Sequence, residues 1–302
     1  MVSYLEIELK EIEKRVNLLF EKLKKCDICG WECNINRYSQ KSHCKSGIEL
    51  KISSYGPHYG EEKIISGKRG SGTIFFTNCS MKCVYCQNYD ISQLGNGYII
   101  SEEELSNIML KLQEIGCHNI NLVTPTHFVP QILKGIYLAI KNGLKIPFVY
   151  NCGGYENVEI IKLLEGIIDI YMPDAKYGDN EMAKKYSGII DYWDKCKKAL
   201  IEMKRQVGDI ILNEEKVAVK GLLIRHLILP DNISSSEKVL KFIRDELGEN
   251  TWVSLLSQYH PEYKAYIFPE INRRINFNEY NRVVKLTHEL GLKNVIYQGY
   301  FL

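Results

Sequence analysis

The chain has 302 residues, enough to bury a large core as one barrel-sized domain or as two smaller ones. Hydrophobic residues are 45% and charged residues 25%, and Lys+Arg 39 against Asp+Glu 37 leaves +2, too balanced for a nucleic-acid binder recognised by charge. No basic segment followed by an apolar run opens the chain and no run of about 18 apolar residues occurs, so neither a signal peptide nor a membrane span is expected.

Residues 4–25 read as an amphipathic helix, because Leu5, Leu9, Ile12, Val16, Leu19 and Leu23 step by four and three with Lys and Glu between them. A coiled coil would use the same spacing, but a helix of about three heptads is expected to pack on the protein's own body. Cys26, Cys29, Cys33 and Cys44 follow. Four thiolates this close can close a tetrahedral zinc site or bind every corner of a [4Fe–4S] cubane, and spacing does not choose between metals that both take soft ligands. Residues 45–72, rich in Gly and Ser, read as an irregular connector. Its end, Gly67-Lys68-Arg69-Gly70-Ser71-Gly72, precedes a strand, the wrong order for a phosphate loop, and reads as a tight turn into a barrel. His58, Glu61 and Glu62 within it suit a solvated loop and a site wall equally.

From Thr73 onward strands and helices alternate. Strands are expected at 74–78, 120–123, 147–150, 168–171, 222–229, 252–256 and 294–297. A capping box, Ser101-Glu102-Glu103-Glu104, opens a helix with Leu105, Ile108, Met109, Leu112 and Ile115 inward and Gly116 as its stop. Pro130 begins another helix. Further helices are expected at 158–164, at 192–206 (burying Trp193, Cys196, Leu200 and Met203), from a cap in Ser234-Ser235-Ser236-Glu237 to Gly248, and at 277–290. This alternation implies an α/β fold, a partial (β/α)6 TIM-type barrel over residues 71–302, preceded by a Cys-rich extension over residues 1–70.

Just past the first expected strand lie Cys79, Cys83 and Cys86, spaced C-x3-C-x2-C, with Tyr85 before the last. Three thiolates on one loop can hold three corners of a [4Fe–4S] cluster and leave the fourth iron without a protein ligand, the open position that a catalytic centre needs. A zinc loop completed from elsewhere, or three unrelated thiols, would read the same. Ten cysteines, seven of them in these two clusters, point to metal in a reducing compartment, hence the cytoplasm, rather than to disulfides. In a parallel β/α barrel chemistry sits at the carboxyl ends of the strands. There stand Cys79, Thr124-Pro125-Thr126-His127, Asn151-Cys152-Gly153-Gly154, Pro173-Asp174-Ala175-Lys176 and Gln258-Tyr259-His260, while Arg225 and His226 interrupt the fifth strand. One polar group per strand end describes a ring around a single site. Arg225 or His226 could equally form a buried ion pair with Asp169 or Asp174. Cys117 and Cys196 read as small core residues.

The text from Ser71 to Asn88 resembles the signature of the radical S-adenosylmethionine (SAM) superfamily. It is similar to the pyruvate formate-lyase activating enzyme-like branch (PflX type), and the likeness runs over nearly the whole chain. The resemblance implies that SAM chelates the open iron and that one electron splits its sulfonium to methionine and a 5′-deoxyadenosyl radical, which abstracts hydrogen from a substrate. Asp174 and Lys176 match the D-x-K of activating enzymes, at the reaction site. Asn121, Thr124 and Thr126 occupy the strand end that usually carries a Gly-Gly-Glu-type receiver of the SAM amino group, here without an acid. Asn151, Cys152 and the Met172 carbonyl match a monovalent-cation site in which the family shows Asp where this chain has Asn151. Tyr85 and His260 are implied beside SAM, and Arg225 suits the SAM carboxylate, which a guanidinium pairs with bidentately. Implied partners are a reductant such as flavodoxin or ferredoxin and, for an activase, a glycyl-radical enzyme. A small molecule or peptide is the alternative substrate, and a non-catalytic Fe–S carrier or scaffold is the alternative class. No nucleic acid or membrane partner is implied.

Overall fold

The computed structural model describes residues 2–299. A 3-10 turn at Ser3–Glu6 precedes helix α1 (Leu9–Lys22), which another 3-10 turn, Leu23–Lys25, continues. The expected helix over 4–25 is therefore interrupted at Ile7, whose backbone is extended (φ −93, ψ 132). Ile12, Val16, Leu19 and Leu23 are buried as the spacing requires, but the break turns Leu5 and Leu9 out to solvent and seats Tyr4 in the core instead. The Tyr4 hydroxyl donates to the Ile146 carbonyl at 2.9 Å, so the short first turn is anchored on the barrel wall.

The barrel follows as β1 (Leu50–His58), α2 (Lys63–Ser66), β2 (Ser71–Phe76), α3 (Tyr89–Ser92), β3 (Tyr98–Ile100), α4 (Glu102–Ile115), β4 (Ile120–Val123), α5 (Val129–Lys141), β5 (Phe148–Cys152), α6 (Val158–Leu163), β6 (Ile170–Pro173), α7 (Asn180–Ser187), α8 (Tyr192–Val207), β7 (Ile211–Leu212), β8 (Ala218–Leu227), α9 (Ser236–Phe242), β9 (Trp252–Leu256), α10 (Phe277–Glu289) and β10 (Val295–Tyr297). Strands β2, β4, β5, β6, β8, β9 and β10 run parallel in that spatial order, an open barrel wall with α-helical crossovers. All seven lie where a strand was expected, β4 and β9 with the expected ends and the others with shifted ones. All but the edge strand β10 are largely buried on both faces and read as apolar runs, which is why the sequence shows them.

The connector is where the expectation fails. Leu50–His58 is a strand, not an irregular segment, and pairs antiparallel with both β2 and β3, so the sheet runs continuously across residue 70. Lys51, Ser53, Ser54, Gly56 and Pro57 hide it, because only Leu50 and Ile52 of this strand are fully buried. Three helix details also differ. The capping box at Ser101 and the left-handed stop at Gly116 are present, but Ile115 is exposed. Ser235 precedes α9 in a left-handed conformation (φ 51) and its side chain caps nothing, while Ser234 and Ser236 turn inward and α9 passes into a π turn before Gly248. Trp193 is half-buried against Phe242. Helix α7, capped by Asp179, was not expected.

The inward register of α1 is open to a direct test by urea unfolding of single variants. Leu19→Ala is expected to lower stability by about 2–5 kcal/mol, whereas Leu9→Ala, at 41% exposure, should change it by no more than about 0.5 kcal/mol. Equal costs at the two positions would contradict the break at Ile7.

Candidate active site

The loop after β2 owes its shape to two residues in left-handed backbone, Asn78 (φ 64) and Lys82 (φ 48), which wrap the chain around the space in front of the strand end. Each of its thiols has a hydrogen-bonding neighbour. The Met81 N–H donates to Cys79 Sγ at 3.3 Å, the Ser187 hydroxyl to Cys83 Sγ at 3.2 Å, and Cys86 Sγ meets Ser92 Oγ at 3.1 Å. Burial first, and then the neighbouring Cys83 and Cys86, push the Cys79 thiol up to about 12. Three crowded thiolates repel one another unless a cationic centre lies between them, and this donor set fits an iron–sulfur cluster. Among the described residues no three His, Cys, Asp or Glu side chains come together as ligands of a single ion. A cubane asks for something else, one thiolate on each of three irons.

Behind the loop stands a layer of tyrosines that sequence reading missed. Tyr85 packs edge-on against Tyr177 and Tyr259, Tyr177 against Tyr192, and Tyr192 stacks with Tyr155, at centroid distances of 5.5–6.3 Å. The Tyr192 hydroxyl does more than pack. It lies 3.0 Å from the Gly153 carbonyl and 2.9 Å from that of Asp174, and accepts the Lys176 N–H at 2.9 Å, clamping the ends of β5 and β6 together. Twenty scattered tyrosines carry no periodicity from which such a layer could be read.

In front of the loop runs a chain of charges. Asp174 receives Lys176 Nζ at 2.6 Å on one oxygen and Arg225 Nε at 2.9 Å on the other. Arg225 continues to Asn151 Oδ1 at 2.6 Å through Nη2 and to Glu61 Oε2 at 3.3 Å through Nη1. Glu61 Oε1 accepts from Asn121 Nδ2 at 3.2 Å and Asn151 Nδ2 at 3.4 Å. Burial pushes the Asp174 carboxyl up, but Arg225 and Lys176 together hold it below the usual carboxylate range. Burial would lower Lys176, yet Asp174 and then Cys83 raise it, which also places its ammonium beside the thiol loop. Glu61 is raised by burial, with Arg225 opposing.

The structure thus brings Asp174, Lys176, Arg225, Asn121 and Asn151 into one network. The pairing of Arg225 with Asp174 is one of the two readings its sequence position allowed. Glu61, on the connector, places a carboxylate against Asn121 of β4, a strand that carries no acid of its own. No periodicity marks it, because the β1–β2 connection folds into the lumen and only the tertiary structure says so. Thr124 closes β4 in a left-handed conformation (φ 59) and donates its N–H to Asn151 at 2.9 Å. Thr126 is turned elsewhere, with its hydroxyl on the buried carboxylate of Glu156 at 2.8 Å. The Cys152 carbonyl accepts the Asp174 N–H at 2.9 Å. His260 lies partly exposed beside Glu262, 3.5 Å away, outside the charge chain. Asn121 Oδ1 is buried without a hydrogen-bond partner, and an orphaned acceptor facing this network suits a ligand that donates. Between the 60–64 segment and β8, β9 and β10 lies a cavity of about 420 Å³, lined by Glu61, Arg225, Ser254, Gln258 and Tyr297.

The Radical SAM superfamily model matches residues 73–243. The chain is 32% identical over 294 residues to uncharacterized protein MJ0674 of Methanocaldococcus jannaschii, covering 93% of this chain and 79% of that one. It is 27% identical over 191 residues to the pyruvate formate-lyase-activating enzyme of Clostridium pasteurianum, covering 59% and 70% respectively. In fold it resembles the crystal structure of HydG, a maturase of the [FeFe]-hydrogenase, with a TM-score of 0.52 at 15% identity, over 97% of this chain and 66% of that chain. No helix among the described residues is long and apolar enough to cross a membrane.

Next to Arg225, His226 is buried between the Ala175 carbonyl and the Ser236 hydroxyl, at 2.7 and 2.8 Å, and burial pushes its pKa from the ordinary 6.5 down to about 4. The folded state therefore resists a proton that the unfolded chain accepts. Nothing is lost well above pH 6.5, and stability falls as the pH drops through 6.5 toward about 4. Between pH 7.5 and 5.5 the loss from this imidazole should be about 1.4 kcal/mol. Urea unfolding of the reconstituted protein at the two pH values checks this, and the difference should shrink by that amount in His226→Gln.

Proposed function

This chain belongs to the radical SAM superfamily, whose members are SAM-cleaving radical enzymes, and on that premise we propose that it abstracts hydrogen from a polar substrate seated against the chain Glu61–Arg225–Asp174–Lys176. Cys79, Cys83 and Cys86 would hold the [4Fe–4S] cluster. Asn121, Thr124, Asn151, Arg225 and His260 are the proposed SAM contacts, and the unpartnered Asn121 Oδ1 suits the SAM ammonium. Bound cluster and SAM supply a one-electron cleavage to methionine and a 5′-deoxyadenosyl radical. What the protein's own residues contribute is position and exclusion. Lys176, its proton secured by Asp174, presents a fixed cation to a substrate oxygen, and Arg225 and Glu61 offer a donor and an acceptor within the same lumen. The tyrosine layer seals the loop from water on the far side.

The observation that carries this reading is the charge chain beside a cavity of about 420 Å³. That volume suits a small molecule or a peptide side chain, and mixed-charge walls favour a substrate that is itself polar. A second reading, hydrogen abstraction from a backbone glycine of a partner enzyme, is favoured by the likeness to the Clostridium pasteurianum activating enzyme. In either case a low-potential donor of the flavodoxin or ferredoxin kind is the proposed source of the electron.

Anaerobic reconstitution with SAM and a strong reductant, assayed for 5′-deoxyadenosine, tests the proposal. Cys83→Ala should bring the product down to background, because two thiolates no longer hold the cluster. Lys176→Met should keep its iron and lose at least about 100-fold in substrate-dependent turnover, the scale of removing one fixed charge from a dry site. Product from Cys83→Ala, or iron lost with Lys176, would sink the assignment. A glycyl-radical doublet on an added partner would decide for the second reading.

A further inference from the structure

Residues 26–46 form a knuckle held together by its own backbone. The Asn34 N–H donates to the Cys26 carbonyl and the Cys26 N–H to that of Ile35, both at 2.8 Å. Glu32 (φ 43), Asn34 (φ 57) and Lys45 (φ 63) adopt left-handed conformations beside Cys33 and Cys44, turns that bring separated cysteines together. Cys26, Cys29 and Cys44 are buried, Cys33 partly so, and Cys29 lies within Coulombic reach of the other three.

Beside them lies Arg37, 1% exposed. Its guanidinium donates to the Gly47 carbonyl at 3.1 and 2.5 Å and to the His127 carbonyl at 2.6 Å, and it also faces the Cys26 thiol. No carboxylate among the described residues pairs with it. A guanidinium taken out of water needs an anion, and carbonyl dipoles alone supply only part of that. Four cysteines, once ligated, bring negative charge beside it.

From this arrangement we infer that Cys26, Cys29, Cys33 and Cys44 hold a second [4Fe–4S] cluster, whose negative charge is met by the buried Arg37. Ligation breaks four S–H bonds and forms four S–Fe bonds, and the four protons leave to solvent. The choice of a cluster over a single zinc rests on place, because the knuckle lies against the Cys79–Cys83–Cys86 loop of a family that loads that loop with a cubane. Trp31 Nε1 donates to the Ser80 carbonyl at 2.7 Å, Asn78 Nδ2 to Ser46 Oγ at 3.0 Å, and Lys82 Nζ to the His43 carbonyl.

The test uses the full chain reconstituted anaerobically with iron and sulfide. About eight irons per chain are expected, and about four in the double variant Cys29→Ser/Cys33→Ser. The remaining cluster of that variant should still change its electron paramagnetic resonance spectrum on addition of SAM. About four irons with one zinc in the unmodified chain, or about eight irons in the double variant, would overturn the inference. Arg37→Gln should lower the midpoint potential of the SAM-insensitive cluster and Arg37→Lys should restore it. An unmoved potential in Arg37→Gln would remove Arg37 as the counter-charge. Loss of the SAM-sensitive signal alone would count against the function proposed above and leave this centre standing.

Discussion

One carboxylate gripped by two cations inside the barrel organises this protein. Asp174 holds Arg225 on one oxygen and Lys176 on the other. Because the Ala175 N–H also donates to the Arg225 carbonyl at 2.8 Å, the same contact keeps β6 and β8 in step beyond their last ladder pair. Withdrawing one partner from such a buried pair costs about 3–5 kcal/mol, since the other charge is left in low dielectric. Structure and chemistry therefore share one interaction. The geometry that would hold a substrate is the geometry that keeps the strand ends from drifting.

Around that contact the molecule is built in shells. Tyr192 ties the Asp174 and Gly153 carbonyls together and receives the Lys176 N–H. The tyrosine layer then separates the thiol loop from the helices outside it. On the other side the 26–46 knuckle leans on the loop through Trp31 and Ser46. The backbone strain stored in Asn78, Lys82 and Thr124 is held by these neighbours, and such strain collects where a chain must present groups to a ligand. The helix at the amino end, locked by Ile12, Val16, Leu19 and Tyr4, closes the outer wall against α5.

The parallel strands were legible because all but the edge strand β10 are largely buried on both faces and read as apolar runs closed by a polar group. Cys79, Asn151, Asp174 and Lys176 could be named for the same reason, since a barrel aims its strand ends at one place, whereas Asn121 was named only through the family resemblance. Strand β1 was not legible, because its one-sided burial leaves Lys51, Ser54 and Pro57 in view. Glu61 sits on that strand's far connection. Thr126 shows the converse failure. It stands at the right position, but its hydroxyl is taken by Glu156, an acid that no local pattern connects to it.

By itself the sequence determined what is local. Cysteine spacing set the ligands that one loop can offer, apolar runs set which segments are strands, and their alternation with helices set that the strands are parallel. Tertiary structure alone decided which polar side chains share a space. Arg225 meeting Asp174 and Glu61, Tyr192 clamping Lys176, and Arg37 lying buried against Cys26 all join residues far apart in the chain. Such meetings depend on how the crossovers wind and where a loop turns inward, and no short window of residues encodes that.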